Sequence, residues 1–299
     1  MNDHIEQFRR AVESAGLNAP DEIHPDGRIH RFNGSGSGKR GDDSAWYVLH
    51  LDGVPAGAFG CWRLGITEHW CAKSDSDMTA MEREANRQRI KAIQAQREAE
   101  QAQRHQAATI EAAKRWQDAT TCIEHPYLSA KGVQAHGVRS DAAGGLLVPM
   151  RDTAGTLHSL QTITADGDKR FLSGGRVKGC YHAIGKPKGG ALIVCEGYAT
   201  GASIHEATGQ AVAIAFNAGN LEAVALALRT KYPALKIIIA ADDDHQTEGN
   251  PGTTKATAAA RAVGGTVAVP DFGVNRPDRA TDFNDLHQVA GLEAVRRCI

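Results

Sequence analysis

The chain has 299 residues, a formal net charge of -1 and 5% aromatic residues, enough for two or three domains and a sizeable core. The near-neutral balance excludes a globally basic nucleic-acid binder, so any surface for nucleic acid must be a local patch. The polar first residues, MNDHIE, predict no signal peptide, and no apolar run reaches the roughly 20 residues of a membrane span.

The six cysteines lack CxxC spacing and fit scattered thiols in a reducing cytoplasm. Residues 5–16 carry an amphipathic helix pattern with Gly16 as its C-cap. Asp26 and Gly27 mark a turn. Residues 28–32 and 45–51 then alternate like strands, and Asp52 and Gly53 join the second to 54–59 as a hairpin. Residues 22–72 therefore predict a small antiparallel sheet within a β-rich module at 1–75. Its loop 33–40, NGSGSGKR, departs from a P-loop, with Asn33 at the first glycine position and Arg40 at the Ser/Thr position. Lys39 and Arg40 still carry charge suited to phosphate. Cys61, His69 and Cys71 lack the paired spacing of a zinc site and are not expected to form one. Trp46, Tyr47, Trp62 and Trp70 are candidates for stacking on unpaired bases; a small core would absorb at least two of them.

Thr79 to Glu82 has the spacing of a capping box. A run of strong helix formers follows, with neither Gly nor Pro until Pro126. At about 1.5 Å per residue such a helix reaches on the order of 60 Å. Its apolar positions are mostly alanine, with Ile90, Ile93, Ile110 and Trp116, and no heptad of large residues is sustained. The expectation is an exposed helical linker over 76–120. Residues 121–188 predict a third module, with a helical turn at 125–132 and short strands at 145–151, 157–164 and 170–172. Lys169, Arg170, Arg176 and Lys178 cluster in a glycine-rich stretch. They are candidates to hold template backbone or a nucleoside triphosphate; for each one a solvated loop is the alternative.

Residues 189–299 alternate cleanly. Strand 191–195 leads to helix 198–207, strand 211–216 to helix 220–230, strand 236–241 to helix 253–263, and strand 266–270 to short helices at 284–298. This predicts a mostly parallel sheet with right-handed crossovers. The first strand ends at Glu196 and the third at Asp242, Asp243 and Asp244. Catalytic groups of open α/β sheets sit outside the carboxyl ends of strands, and a Rossmann-like order makes these two strands neighbours. Alternation puts Asp242 and Asp244 on one face and turns Asp243 away. Crowded carboxylates repel unless a cation joins them, and Mg²⁺ takes carboxylate oxygens while keeping waters for phosphates. Glu196 with Asp242 and Asp244 thus predicts a metal site for phosphoryl transfer.

VCEG at 194–197 with ADDD at 241–244 resembles the Toprim domain of bacterial primases, type IA and II topoisomerases and some nucleases. That resemblance implies Mg²⁺ or Mn²⁺ held by Glu196, Asp242 and Asp244. Upstream, HPYLSAKG at 125–132, LVPMRD at 147–152, KRFL at 169–172 and Lys178 with Gly179 are similar to the catalytic core of DnaG-type primases, where a small subdomain precedes the Toprim. By it, Arg170 and Lys178 fall at basic positions near nucleotide and template. DFNDLH at 282–287 looks like the acidic element that closes many primase Toprim domains and adds Asp285 to the metal set. DGRIHRF at 26–32 and DGVPAGAFG at 52–60 resemble a module of primase-like proteins of conjugative plasmids, phages and mobile elements.

The resemblance implies an α/β chain: a Toprim domain at 189–299, a small α+β subdomain at 121–188, a helical linker and an N-terminal antiparallel β module. It implies a DNA primase, a DNA-directed nucleotidyltransferase that makes short RNA primers by two-metal chemistry for plasmid, phage or mobile-element DNA replication. Lys169, Arg170, Arg176 and Lys178 would hold nucleotide or template. The partners implied are single-stranded DNA, nucleoside triphosphates and a replicative helicase or another replication protein, in the cytoplasm and without a membrane. The sequence departs from cellular primases in lacking a CxxC/CxxH zinc ribbon and a Walker A motif for a fused helicase, and in a longer loop at 245–251. A Toprim nuclease using the same metals, and a DNA-binding accessory protein with a vestigial site, are the other classes considered. A topoisomerase would need a tyrosine on a strand-passage domain that this length does not accommodate.

Overall fold

The computed structural model describes residues 2–34 and 43–299, and the chain divides into two compact units, Met1–Ala102 and Gln103–Ile299. Most of the glycine-rich loop, with Lys39 and Arg40, lies outside the described residues.

In the first unit, helix α1 (Asn2–Ser14) precedes strands β1 (His30–Phe32), β2 (Ala45–His50), β3 (Ala56–Cys61) and β4 (Ile66–Cys71). The strands form an antiparallel sheet in chain order. Phe8 and Val12, one helical turn apart, bury against Tyr47, Leu49 and Phe59. The small residues of β3 permit this approach: a Cβ at Gly57 would stand 2.9 Å from the Phe8 ring and 2.5 Å from the Val48 carbonyl oxygen.

Helix α2 (Ala80–Asp118) opens with the expected capping box, Thr79 and Glu82 exchanging backbone-to-side-chain hydrogen bonds of 2.8 and 3.2 Å. Most of its residues are exposed, as expected of a linker, and a few of its side chains are anchored. In the first unit Ile93 packs with Trp46, Val48 and Ala58, the Arg97 guanidinium lies 3.8 Å over the Trp46 ring, and Arg89 donates to the carbonyls of Asp52 and Val54. In the second unit Ala112 and Trp116 pack with Leu147, Leu157 and Leu160. The alanines that suggested little burial are what lets the helix lie close.

The second unit holds two sheets. The smaller is antiparallel, β5 (Thr120–Thr121), β6 (Arg139–Ser140), β7 (Leu146–Arg151), β8 (Leu157–Ile163) and β9 (Lys169–Phe171), with helix α3 (Pro126–Lys131) between β5 and β6. The larger contains β10 (His182–Ile184), β11 (Ala191–Cys195), β12 (Ala211–Ile214), β13 (Lys236–Ala240) and β14 (Thr266–Ala268), interleaved with helices α4 (Tyr198–Thr208), α5 (Leu221–Lys231), α6 (Pro251–Val263) and α7 (Phe283–Cys298). Its order is β10-β12-β11-β13-β14. The last four run parallel, and β10 is antiparallel to β12. Side chains of β11 alternate between two cores. Ile193 and Cys195 join Tyr198, Ala202, Phe283 and Leu286; Leu192 and Val194 join Leu221, Val224, Ala256 and Ala259. A sheet covered on both faces has no polar face to show, which is why its strands read as unbroken apolar runs. Leu146, Val148, Met150 and Ile163 of the smaller sheet belong to the first of these cores, so both sheets fold as one unit.

Buried Asn220 ties the two together. Its Nδ2 faces the carbonyls of Ala215, Cys180 and Val177 at 2.9, 3.0 and 3.1 Å, and its Oδ1 accepts the Gly179 amide at 2.8 Å. Replacing it with leucine strands these groups without partners. We expect Asn220→Leu to cost about 3 kcal/mol, seen as a lower urea midpoint for the second unit. An unchanged midpoint would mean the 177–180 loop is held by other contacts.

Candidate active site at the carboxyl ends of the parallel strands

Strands β11 and β13 are direct neighbours, with Val194 level with Ile239, so Glu196 and Asp242 leave the sheet side by side. The backbone around Glu196 is fixed on its other flank: Ala215 N–H donates to the Cys195 carbonyl and Phe216 N–H to the Glu196 carbonyl, both at 2.8 Å. Phe216 takes φ 72 to do so, a left-handed backbone seldom adopted by a bulky residue and a mark of functional sites. Past Asp242, the chain folds back onto the start of α6. Asp244 accepts the Gly252 amide on Oδ2 at 3.0 Å and gives its own amide to Asn250 Oδ1 at 3.0 Å. The approach requires glycine, since a Cβ at Gly252 would lie 2.4 Å from the Asp242 carbonyl oxygen.

The charges of several carboxylates meet here. Burial, then the charges of Asp282, Glu196 and Asp244, pushes Asp242 up to about 8. Burial and Asp244 raise Glu196; burial and Asp285 raise Asp282. Asp242 Oδ1 is buried without a hydrogen-bond partner, and the Glu196 carboxylate makes no hydrogen bond among the described residues. Unpaired hard oxygens in mutual repulsion fit a divalent cation such as Mg²⁺ or Mn²⁺. As they stand, no three His, Cys, Asp or Glu side chains among the described residues are grouped closely enough to ligate one; an ion would have to draw the carboxylates inward.

Asp285 is placed differently from expectation. Its Oδ2 accepts the amides of Thr281 and Asp282 at 2.9 and 3.3 Å, while Asp282 Oδ1 accepts those of Asn284 and Asp285, closing a capping box on α7. Asp282 is the acid of this element whose charge bears on Glu196 and Asp242, and its Oδ2 accepts from Thr200 at 3.0 Å. The D-x-x-D spacing ahead of a helical pattern was the signal for this division. Tyr127 was also missed. Its hydroxyl is buried, and burial with the charge of Asp282 outweighs the Ala199 amide and pushes it up to about 12, so it stays protonated.

The four basic residues meet different surroundings. Lys169 is the cation whose charge bears on Glu196 and Asp242, and its Nζ lies 6.0 Å from the Tyr127 ring centre. Arg170, next along β9, points to the opposite face. It pairs with Thr162, whose hydroxyl accepts from Arg115 of α2 at 3.2 Å. Arg176 donates to the Lys178 carbonyl at 3.2 Å, its charge bearing on His105 and Cys180, and Lys178 is exposed. In the first unit Cys61 and Cys71 lie at opposite ends of the β3–β4 hairpin, level with Ile66 and Ala56, and His69 is level with Ala58. Trp46 and Tyr47 are buried, Trp70 packs edge-on against Phe8, and Trp62 is 67% exposed.

Residues 191–293, which hold strands β11 to β14, match the family model of the Toprim domain. Over 281 residues, 89% of the chain, the sequence is 40% identical to a DNA primase TraC from Escherichia coli. It is 41% identical over 289 residues to a second Escherichia coli protein of that name. The chain spans 26% of the length of the first and 19% of the second. Among solved structures, the primase fragment of the bacteriophage T7 primase-helicase protein overlaps 60% of this chain and 74% of its own, at 16% identity and a TM-score of 0.44. The zinc-binding and RNA polymerase domains of the Aquifex aeolicus primase overlap 99% and 84%, at 15% identity and a TM-score of 0.43.

The raised carboxyls predict a pH dependence for the metal-free protein. The folded state holds a proton on Asp242 up to about pH 8, whereas the unfolded chain releases it near the ordinary aspartate value of 3.8. Between those values the folded state binds more protons, so stability falls as pH rises, by at most about 1.4 kcal/mol per pH unit for one group. In EDTA, Asp242→Asn should flatten the fall in thermal midpoint between pH 5 and 8 and melt above the parent at pH 8. Parallel curves for variant and parent would show that Asp242 carries no such proton.

Proposed function

We propose that this chain is the catalytic part of a DNA primase, a nucleotidyltransferase that makes short RNA primers on single-stranded DNA. The observation that carries this reading is the convergence of Glu196, Asp242, Asp244 and Asp282 beyond two adjacent parallel strands, with Asp242 Oδ1 buried and unpartnered. The 40% identity to a TraC primase across 89% of the chain supports the substrate class.

Glu196, Asp242 and Asp244 would hold Mg²⁺ or Mn²⁺, with Asp282 beside them in the role the sequence suggested for Asp285. Such ions, when bound, neutralise phosphate charge and lower the pKa of an attacking hydroxyl. In the reaction a bond forms between the primer 3′-oxygen and the α-phosphorus, the α–β anhydride bond breaks, pyrophosphate leaves, and the hydroxyl proton passes to solvent. The side chains serve mainly to position. Lys169, with its charge on the acids, would orient the triphosphate, and protonated Tyr127 would offer a hydrogen bond at the same place. Arg170, Arg176 and Lys178 would meet template backbone rather than the reacting phosphates. The partners are single-stranded DNA, nucleoside triphosphates and a replicative helicase or another replication protein, in the cytoplasm of a cell carrying a plasmid, phage or other mobile element. Among the described residues no helix is long and apolar enough to cross a membrane.

The test is primer synthesis on single-stranded DNA with ribonucleotides and Mg²⁺ or Mn²⁺. Short products should form and fall by roughly a hundredfold or more in Glu196→Gln, a loss of the size that follows removal of one group stabilising transition-state charge. Degradation of the template would point instead to a Toprim nuclease. DNA binding with neither product nor degradation would point to an accessory protein.

A further inference from the structure

Asp243 sits between the two acids that would hold metal, yet it takes no part in their cluster. Its Oδ2 accepts from Arg276 Nη1, and its Oδ1 accepts from Asn250 Nδ2 at 2.6 Å. Its carbonyl accepts from Arg276 Nη2 at 2.9 Å and from the His245 amide at 2.7 Å. Burial opposes ionisation, but the bonds from Arg276 and Asn250 prevail, and Asp243 is held below the ordinary carboxylate value. Arg276 is occupied on its other side too. Nε and Nη2 donate to the Ala280 carbonyl at 2.9 and 2.7 Å, and the guanidinium lies 4.8 Å over the Phe272 ring.

These contacts join two turns. One follows β13 and carries Asp242 and Asp244. The other precedes α7 and carries Asp282. Arg276 bonds both Asp243 and Ala280, and the Asp243 amide donates to the Thr281 carbonyl at 2.8 Å, immediately before Asp282. Asn250 extends the tie into the first turn of α6: its Oδ1 accepts the Asp244 amide, and it holds φ 41 in doing so. The charged fork of Arg276 therefore spans the acids from either side.

We infer that Arg276, with Asp243 and Asn250, is a positioning latch that sets the spacing of Asp242 and Asp244 against Asp282, and through it the affinity of the site for a divalent cation. The inference rests on the metal reading above. A planar fork that donates to two carbonyls and a carboxylate at once is a geometry lysine cannot copy. Charge and geometry also predict opposite signs. If Arg276 acted only by its charge, removing it would leave Asp243 uncovered near the site and a cation would bind more tightly. If it acts by position, removal scatters the acids and a cation binds more weakly.

The experiment is Mn²⁺ binding to the full chain, followed by the loss of the free-ion electron paramagnetic resonance signal, with thermal unfolding in parallel. Arg276→Lys keeps the charge, and Arg276→Met removes it. Both are expected to bind Mn²⁺ about tenfold more weakly than the parent, the size of effect expected for a partner that orients metal ligands, while retaining a cooperative unfolding transition. Parent-like or tighter binding by either folded variant would overturn the latch. So would loss of the folded state in both, which would make Arg276 part of the core. A parent chain that binds no Mn²⁺ would overturn the metal reading itself, along with the latch that depends on it.

Discussion

Repulsion among half-buried carboxylates is the constraint on which the second unit depends. Two parallel strands side by side deliver Glu196 and Asp242 to one place, and two following turns add Asp244 and Asp282. Partial burial removes much of the water that would screen them, so the charges around Glu196 and Asp242 raise the proton affinity of both, and burial with Asp285 raises that of Asp282. Nothing in such a cluster favours folding, so the surroundings must hold it. The sheet is apolar on both faces, with cores that take alternate residues of β11. The acids stand where that packed layer ends.

The chain resolves the crowding by giving neighbouring acids different tasks. Asp242 and Asp244 stay with the cluster while Asp243 is drawn off by Arg276 and Asn250. Asp282 stays while Asp285 is spent on the amides at the start of α7. Even Asp244 shares its duty, one oxygen accepting an amide at the start of α6. Helix N-termini recur in these arrangements because they offer unpaired N–H groups and a favourable dipole for negative charge. The acids are thereby partly balanced by backbone, and the residual imbalance is concentrated on Asp242, whose Oδ1 has no partner.

Much of this was legible in the sequence. The parallel strands were plain because a strand covered on both sides must be apolar throughout, and the acids ended two of them. The less legible parts have local causes. β10 is three residues long, His182–Ile184, too short for an alternation to register. The few buried contacts of α2 were hidden because alanine contributes little apolar area yet permits close approach, as Ala112 does in the core with Leu147 and Leu160. Reading β9 from Arg170 rather than Lys169 left Lys169 outside the strand and treated the two cations as one patch. On the strand they face opposite ways, and only one of them acts on the acids.

That last separation bears on how the small sheet serves the large one. Lys169 sits on an edge strand of the antiparallel sheet, while the acids it acts on leave the parallel sheet. The two are held in one frame because Leu146, Val148, Met150 and Ile163 share a core with Ile193, Cys195 and Tyr198, and because Asn220 bonds carbonyls on both sides of the junction. A cation carried on a separate module would lose its aim whenever the modules moved. Built into the same core, it keeps its charge on Glu196 and Asp242 without any direct bond to either. Under the proposed function, that ammonium group would meet the phosphate that has to approach the acids.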